Sequence, residues 1–338
     1  MLVGHATLEV QRRVEKFYAS VADLFEVWVA RRRSPHTQRA YRQDVIAFIN
    51  FMRLDWPEES WRMYTVSVQD VQAFRESLIA RGAAPKTLNR RISSLSSFYK
   101  FLAATAAELR LPITVPNPAH AQFISRESND PVHETRALSA TRARQLMAMP
   151  AGDTLVEARD RAILKFYLYT GARLGAGCRL MVTDFHRDGE EATIRLSEKG
   201  GRHRTIGVHF AAAEAISEYI DRAHLTAGPL FRPRSASNTD KLADRHFNPM
   251  GMYHVIMDYL RRLPGAMKRG ASAADMAEPR CIYTPHSLRA TTATLLLGAG
   301  VDMRKVQDLL GHRHVTTTQI YDKRRIAVSE GASHDVPI

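Results

Sequence analysis

The most informative stretch of this chain runs from residue 283 to residue 321 and reads YTPHSLRATTATLLLGAGVDMRKVQDLLGHRHVTTTQIY. Thr284 followed by Pro285 is typical of a helix start, because threonine caps the first turn and proline fits its first position. This helix is predicted to continue to the glycines that follow it. A short helix is then predicted from residue 302 to 310, and a last one from Thr316 to Tyr321.

Two basic side chains near the start of the first helix suit a phosphate. His286 and Arg289 are three residues apart, so both project from one face close to the helix N-terminus. A helix N-terminus, an imidazole and a guanidinium together favour an anion. Downstream, His312 follows the glycine that ends the second helix, and Tyr321 lies nine residues later. A His-x-x-Arg pair on its own is too common to define a site.

Two more basic residues come from the middle of the chain. A predicted helix ends at Gly171, and Arg173 follows this break. The segments on either side of residues 198–201 alternate apolar and polar side chains, which predicts a β-hairpin. Lys199 lies at its tip. Arg202 and Arg204 are also basic and lie close by in the sequence, so the choice of Lys199 as the site residue is made against these two.

Length and composition indicate a folded protein of two domains. The chain has 338 residues, of which 45% are hydrophobic and 25% charged, and a single core rarely grows to this size. Lys and Arg outnumber Asp and Glu by 48 to 35. Nucleic acid is the expected polyanionic partner, since no apolar run is long enough for a bilayer. With no signal-peptide pattern and only Cys178 and Cys281, a cytoplasmic protein without a structural metal is predicted.

The first region of the chain predicts helices alone. Apolar residues recur at helical spacing within 41–52, 68–79 and 87–102. The face opposite the first of these stripes carries Arg39, Arg42 and Arg53. Because arginines recur over several helices, a DNA-binding module is favoured over a merely solvated surface. The polar, proline-marked stretch that follows predicts a linker, placed at residues 121–135.

Taken in order, these residues resemble the tyrosine recombinase (phage integrase) family. The order is Arg173, Lys199, His286, Arg289, His312 and Tyr321. The run from Tyr283 to Tyr321 is close to the family's most specific signature in residue types and spacing. The resemblance implies a mainly α fold with a small β-hairpin or sheet: an N-terminal helical core-binding (SAM-like) domain at 1–120, an α+β catalytic domain at 136–326 and a tail at 327–338. The two domains are expected to form a C-shaped clamp on DNA.

The resemblance also implies roles for these side chains. A phosphodiester gains negative charge on its non-bridging oxygens in the transition state, so Arg173 and Arg289 would clamp it. Tyr321 would be the nucleophile, and its 3′-phosphotyrosine conserves the free energy of the phosphodiester, so neither a metal nor a nucleotide cofactor is implied. Lys199 would be the general acid. His286 would act as a base or orient Tyr321, and His312 would form a hydrogen bond with the phosphate.

The implied partners are double-stranded DNA with paired recognition sites and further copies of the recombinase. Four protomers, in a homotetramer or a mixed tetramer, would hold two sites and exchange strands through a Holliday junction. No membrane and no small-molecule cofactor is implied. The implied location is the cytoplasm, on nucleoid DNA.

One position departs from the family pattern. Three residues after Arg173 the family usually carries Glu or Asp, and this chain has Ala176. Either another acid such as Asp184 or Glu198 takes over, or Arg173 is held more loosely. The change leaves open an alternative, a DNA-binding accessory subunit with weak or no catalysis beside an active partner. A relaxing type IB topoisomerase is disfavoured by the N-terminal helical module.

Overall fold

The N-terminal region of the chain folds as predicted, into helices. The computed structural model describes residues 7–127, 135–197, 201, 203–237, 239–268 and 279–322, and the chain divides into two units, 1–129 and 130–338. The helices of the first unit are α1 (Leu8–Ala19), α2 (Val21–Ala30), α3 (Pro35–Phe51), α4 (Val68–Ala80) and α5 (Pro85–Glu108), with a 3-10 helix at Ser60–Thr65. Within its described residues, this unit contains no strand.

Local capping and an aromatic core explain these helices. At the start of α4, the Ser67 hydroxyl accepts a hydrogen bond from the Asp70 amide at 3.2 Å, and the Asp70 carboxylate accepts one from the Ser67 amide at 2.8 Å. The apolar faces bury a set of aromatic side chains: Phe25, Trp28, Phe48, Phe74 and Phe98. The polar faces carry the arginines, and those predicted opposite the apolar stripe of α3 are exposed: Arg39, Arg42 and Arg53.

The beginning of the segment predicted as a linker lies against the first unit. Ile124 is buried in its core. The Asn89 side chain donates to the Glu127 carbonyl and accepts from the Glu127 amide, both at 2.9 Å. Arg75 of α4 forms an ion pair with the Glu127 carboxylate. Residues 121–127 of this segment therefore pack on the first unit, at α4 and α5.

The second unit is mainly helical and carries two small sheets. Its helices are α6 (Ala140–Ala148), α7 (Leu155–Thr170), α8 (Leu174–Cys178), α9 (Phe210–Arg222), α10 (Pro249–Arg262), α11 (Pro285–Gly298), α12 (Met303–Leu310) and α13 (Thr316–Gln319). Its strands are β1 (Phe185–Asp188), β2 (Glu191–Ser197), β3 (His203–Gly207), β4 (Met267–Lys268) and β5 (Arg280–Cys281). Helix α7 is buried along most of its length in the core of this unit.

The predicted β-hairpin is confirmed and belongs to a larger sheet. Strands β2 and β3 pair antiparallel, with Ser197 opposite His203, and β1 pairs with the other edge of β2. Strand β1 was not predicted, because it is short and its last three residues are polar and exposed, so it shows no apolar alternation. Lys199, predicted at the hairpin tip, lies outside the described residues.

One helix boundary was predicted wrongly. Helix α13 ends at Gln319, so Tyr321 lies beyond the helix and not within it. Three of its four residues are threonines, whose branched side chains weaken a helix this short. Across the described part of the chain, no helix combines the length and apolar character needed to cross a bilayer.

Candidate active site

Arg173 is placed by the sharp end of helix α7. Gly171 has φ 58° and ψ 24°, a left-handed conformation that disfavours other residues. A Cβ at Gly171 would lie 2.5 Å from Leu310 Cδ2, so the end of α7 packs closely on the end of α12. Arg173 occupies the N-cap position of the next helix, α8, without a side-chain capping bond, and its exposed side chain donates from Nη2 to the Gly311 carbonyl at 3.3 Å.

Arg289 connects the same two helix ends from inside the protein. It lies on α11 and is only 3% exposed. Its Nη1 donates to the Gly171 carbonyl at 2.6 Å, and its Nη2 donates to the Leu310 carbonyl at 2.7 Å. These two bonds fix the plane and direction of the guanidinium, which keeps its charge in this setting because arginine does not deprotonate in proteins.

The C-terminal end of α12 gathers three arginines. Besides Arg289 and Arg173, which reach Leu310 and Gly311, Arg204 of β3 donates to the carbonyls of Asp308 at 2.9 Å and Leu309 at 2.5 Å. The last carbonyls of a helix have no partner within it and carry the negative end of its dipole, so cations are stabilised there. Arg204 was considered in the sequence only as a neighbour of Lys199. Its contact with α12 ties the hairpin to this cluster.

His312 follows the left-handed Gly311 and is buried, with 9% of its surface exposed. Its Nδ1 lies 2.9 Å from the Thr318 hydroxyl, so the side chain joins α13 and does not simply cap α12. Burial, reinforced by the charges of Arg289 and Arg173, lowers the pKa of His312 to about 4. The imidazole is therefore neutral at pH 7.

Tyr321 presents its hydroxyl to the first turn of α11. The phenol oxygen lies 3.3 Å from Nε2 of His286, which is exposed on that turn. The Tyr321 ring lies parallel to the His312 ring, with centroids 6.1 Å apart. Burial raises the pKa of Tyr321, and the charges of Arg289 and Arg173 partly offset that rise. The hydroxyl is thus protonated at rest, and its proton needs an acceptor.

The structure brings five of the six predicted site residues together: Arg173, His286, Arg289, His312 and Tyr321. The sixth, Lys199, cannot be placed because it lies outside the described residues. Where the described residues are concerned, no group of three or more His, Cys, Asp or Glu side chains has the arrangement to hold a metal ion.

Of the two acids that could replace the missing carboxylate at position 176, only Asp184 lies among the described residues. Both carboxylate oxygens of Asp184 are engaged, because Oδ1 accepts from Arg195 at 2.9 Å and Oδ2 accepts from the Met181 amide at 3.0 Å. Glu198 lies outside the described residues. Ala176 itself is buried.

The low pKa of His312 predicts a specific loss of stability in acid. The imidazole titrates at about 4 when folded and near 6.5 in its unperturbed state. Between these values the unfolded chain binds the additional proton, so the free energy of unfolding falls as the pH drops from 6.5 towards 4, by up to about 3 kcal/mol. Urea denaturation across this range measures the effect.

The control for this experiment is the variant His312→Asn. Its side-chain amide can take the place of Nδ1 beside Thr318 but does not titrate. Its free energy of unfolding is expected to fall less than that of the unmodified protein over the same pH range. Equal slopes in the two proteins would show that His312 is not held neutral by the fold.

Comparison with family models decides the family. Residues 136–326 match the model described as "Phage integrase family", and residues 23–105 match "Phage integrase, N-terminal SAM-like domain". The chain belongs to the phage integrase family of tyrosine recombinases. The predicted mainly helical architecture, with a SAM-like domain before a catalytic domain, is confirmed. The predicted activity, DNA strand breakage and rejoining in site-specific recombination, is confirmed at the level of the family.

Individual relatives agree with this assignment. Tyrosine recombinase XerC of Anoxybacillus flavithermus is 30% identical over 302 residues, covering 87% of this chain and 88% of the relative. XerC of Roseiflexus castenholzii is 30% identical over 320 residues, covering 92% and 88%. Both alignments include most of the two chains.

Solved recombinases share the fold at lower identity. The XerH recombinase in a post-cleavage complex with palindromic difH is 18% identical, with a TM-score of 0.64, over 88% of this chain and 79% of that chain. A lambda integrase dimer bound to a COC′ core site is 16% identical, with a TM-score of 0.62, over 96% and 85%. At this identity the likeness concerns the fold alone.

Proposed function

We propose that this chain cleaves and rejoins double-stranded DNA at paired recognition sites through a covalent bond from Tyr321 to a 3′-phosphate. Strands are exchanged through a Holliday junction, without metal or ATP. The observation that carries the proposal is the Tyr321 hydroxyl, 3.3 Å from His286 Nε2 and in the field of Arg173 and Arg289.

The two arginines would bind the scissile phosphate. Negative charge grows on the non-bridging oxygens as phosphorus becomes pentacoordinate, and guanidinium groups offer paired donors to such oxygens. Arg289 is already fixed by two backbone carbonyls, so its position costs little reorganisation during the reaction. Arg173 is exposed beside it and completes the clamp.

These residues account for every bond and proton that changes in the reaction. The Tyr321 oxygen forms a bond to phosphorus, its proton passes to His286, and the bond from phosphorus to the 5′-oxygen breaks. Lys199 gives a proton to that leaving oxygen, which becomes a free 5′-hydroxyl. Rejoining runs the same steps in reverse with the 5′-hydroxyl of the other strand.

His312 would act as a neutral hydrogen-bond donor. When Nδ1 accepts from the Thr318 hydroxyl, the ring proton resides on Nε2, which can donate to a phosphate oxygen. Its lowered pKa supports this role, because the ring stays neutral at physiological pH and carries a single N–H donor.

The remaining assignments concern assembly and organisation. The exposed arginines of the first unit, Arg39, Arg42 and Arg53, support a core-binding domain at 1–120 that holds DNA. We assign residues 121–135 to the linker, 136–326 to catalysis and 327–338 to a tail. The working form is a tetramer on two DNA sites, associated with the nucleoid inside the cell.

The direct test uses DNA selected by the protein itself. A pool of duplexes with randomised inverted half-sites is enriched for binding, and the enriched duplexes are then nicked one position at a time. A nick beside the scissile bond lets the short 5′-hydroxyl fragment diffuse away, so cleavage leaves a trapped protein–DNA adduct. The proposal predicts this adduct at one position; binding without an adduct at any nick position contradicts it.

Lys199→Ala is expected to slow cleavage of this nicked duplex by about 100-fold or more, because the leaving oxygen then departs without a proton. DNA binding should change by no more than about twofold, as expected for one contact among several phosphates. The matched control is Arg202→Ala, which removes a basic side chain three residues after Lys199. This variant should retain most of the cleavage rate.

A modified substrate makes this test specific for general-acid catalysis. When sulfur replaces the 5′-oxygen at the scissile phosphate, the leaving thiolate needs no proton. Lys199→Ala should therefore cleave this duplex at nearly the unmodified rate. Parallel losses of binding and cleavage, or no recovery with sulfur, would contradict the assignment.

A further inference from the structure

The short helix that follows Arg173 has little stability of its own. Helix α8 has five residues, of which Gly175 and Gly177 each weaken a helix by about 1 kcal/mol relative to alanine. Ala176 offers no side-chain oxygen to support Arg173. The backbone that carries this arginine therefore needs another source of rigidity.

A buried tyrosine hydroxyl of α7 contacts the start of this helix. Tyr167 of α7 is 2% exposed, and its hydroxyl donates to the Leu174 carbonyl at 2.7 Å. Burial holds the pKa of Tyr167 well above its ordinary value, so the hydroxyl keeps its proton as a donor. This hydrogen bond thus ties the first residue of α8 to α7.

Gly177 leaves the space that the phenol needs. A Cβ at this position would lie 2.2 Å from the Tyr167 hydroxyl oxygen and 2.7 Å from Cζ, closer than real Cβ atoms come to other atoms. The glycine that weakens α8 is therefore the same residue that lets the hydroxyl reach Leu174. Tyr167 and Gly177 are therefore sterically matched.

The contact acts on Arg173 through one peptide bond. Leu174 directly follows Arg173, whose φ of −68° and ψ of 143° set the direction in which its side chain leaves the backbone. Its guanidinium donates to the Gly311 carbonyl at 3.3 Å. A shift of the backbone at the start of α8 would therefore move this charge relative to the end of α12.

We propose that Tyr167 is a positioning residue for Arg173: its buried hydroxyl, admitted by Gly177, holds the start of α8 in place of a carboxylate at position 176. The inference rests on the proposed function of Arg173 as a phosphate clamp. It assigns a part in the DNA cleavage step to a side chain that does not touch DNA.

Tyr167→Phe tests the proposal by removing only the hydroxyl. Single-turnover cleavage of the selected, nicked duplex at saturating DNA is expected to be about tenfold slower, the rate change for one lost hydrogen bond of ordinary strength. DNA binding should stay within about twofold. The matched control is Tyr259→Phe, which removes another buried hydroxyl, bonded to Asp160 at 3.0 Å, and should cleave at nearly the unmodified rate.

A double-variant cycle separates positioning from general loss of packing. If Tyr167 acts through Arg173, adding Tyr167→Phe to Arg173→Lys should slow cleavage by only about twofold, because the geometry of the guanidinium is already lost. Rates are expressed per folded protein, from circular dichroism at the assay temperature. A full tenfold loss in both backgrounds, no loss from Tyr167→Phe alone, or an equal loss from Tyr259→Phe overturns the proposal. Unmodified cleavage by Arg173→Lys would instead contradict the proposed function of Arg173.

Discussion

Tyr321→Phe is expected to abolish the covalent protein–DNA adduct and to reduce strand cleavage by more than about a thousandfold, because no other group supplies the attacking oxygen. Binding to the selected duplex should be unchanged within about twofold, since the aromatic ring and its packing against His312 remain. Denaturing gel electrophoresis of the nicked duplex measures the adduct, and a mobility shift measures binding.

The control for this variant is Tyr283→Phe. Tyr283 is also buried in the second unit, where its hydroxyl accepts from Arg142 at 2.7 Å. This variant loses a hydroxyl hydrogen bond in the sequence neighbourhood of the site and should still form the adduct at close to the unmodified rate. An adduct that survives Tyr321→Phe but not Tyr283→Phe would move the nucleophile to the other tyrosine.

Arg289→Lys is expected to damage both the reaction and the fold. Cleavage should fall by about a thousandfold, the size seen when a guanidinium that stabilises phosphoryl-transfer charge is removed. A lysine cannot donate to the Gly171 and Leu310 carbonyls in the same fork, so the free energy of unfolding should also fall by about 2 kcal/mol. Single-turnover cleavage and urea denaturation measure the two effects.

A second buried arginine separates these two effects. Arg159 is 2% exposed and donates to Asp160 and to the Arg232 carbonyl in the same unit. Arg159→Lys should lose a similar amount of stability but cleave, per folded molecule, at nearly the unmodified rate. If both variants lose cleavage only in proportion to their folded fraction, Arg289 has a structural role alone.

Much of the site was predictable because its signals are local. The run from residue 284 to 321 contains its own helix starts and stops, so Asp302 caps the start of α12 and Gly311 follows its end, as expected from the sequence. The spacing of His286 and Arg289 then follows from helix geometry. The hairpin was also predictable, since β2 and β3 alternate in polarity.

The remaining features depend on contacts between distant segments. Arg289 donates to Gly171, which lies 118 residues earlier in the chain, and no local pattern indicates that pair. Arg204 could be noticed as a basic residue, but its bonds to the end of α12 require the folded hairpin. Gly177 is of a residue type that weakens a helix, but its partner Tyr167 can be identified only from the atoms around it in the structure.

The accessory-subunit alternative differs from the catalytic account at a single point, the formation of a phosphotyrosine. Both accounts predict DNA binding, and both allow a tetramer. Only an active enzyme forms a covalent bond to the nicked duplex when no other recombinase is present. The adduct itself therefore decides between them.

The most direct measurement is the identity of the linked residue in that adduct. The trapped complex is digested with protease and nuclease, and mass spectrometry locates the nucleotide on its peptide. The account predicts one modified peptide, with a 3′-phosphate ester on the Tyr321 oxygen. A nucleotide on any other side chain, or one linked through a 5′-phosphate, would contradict it.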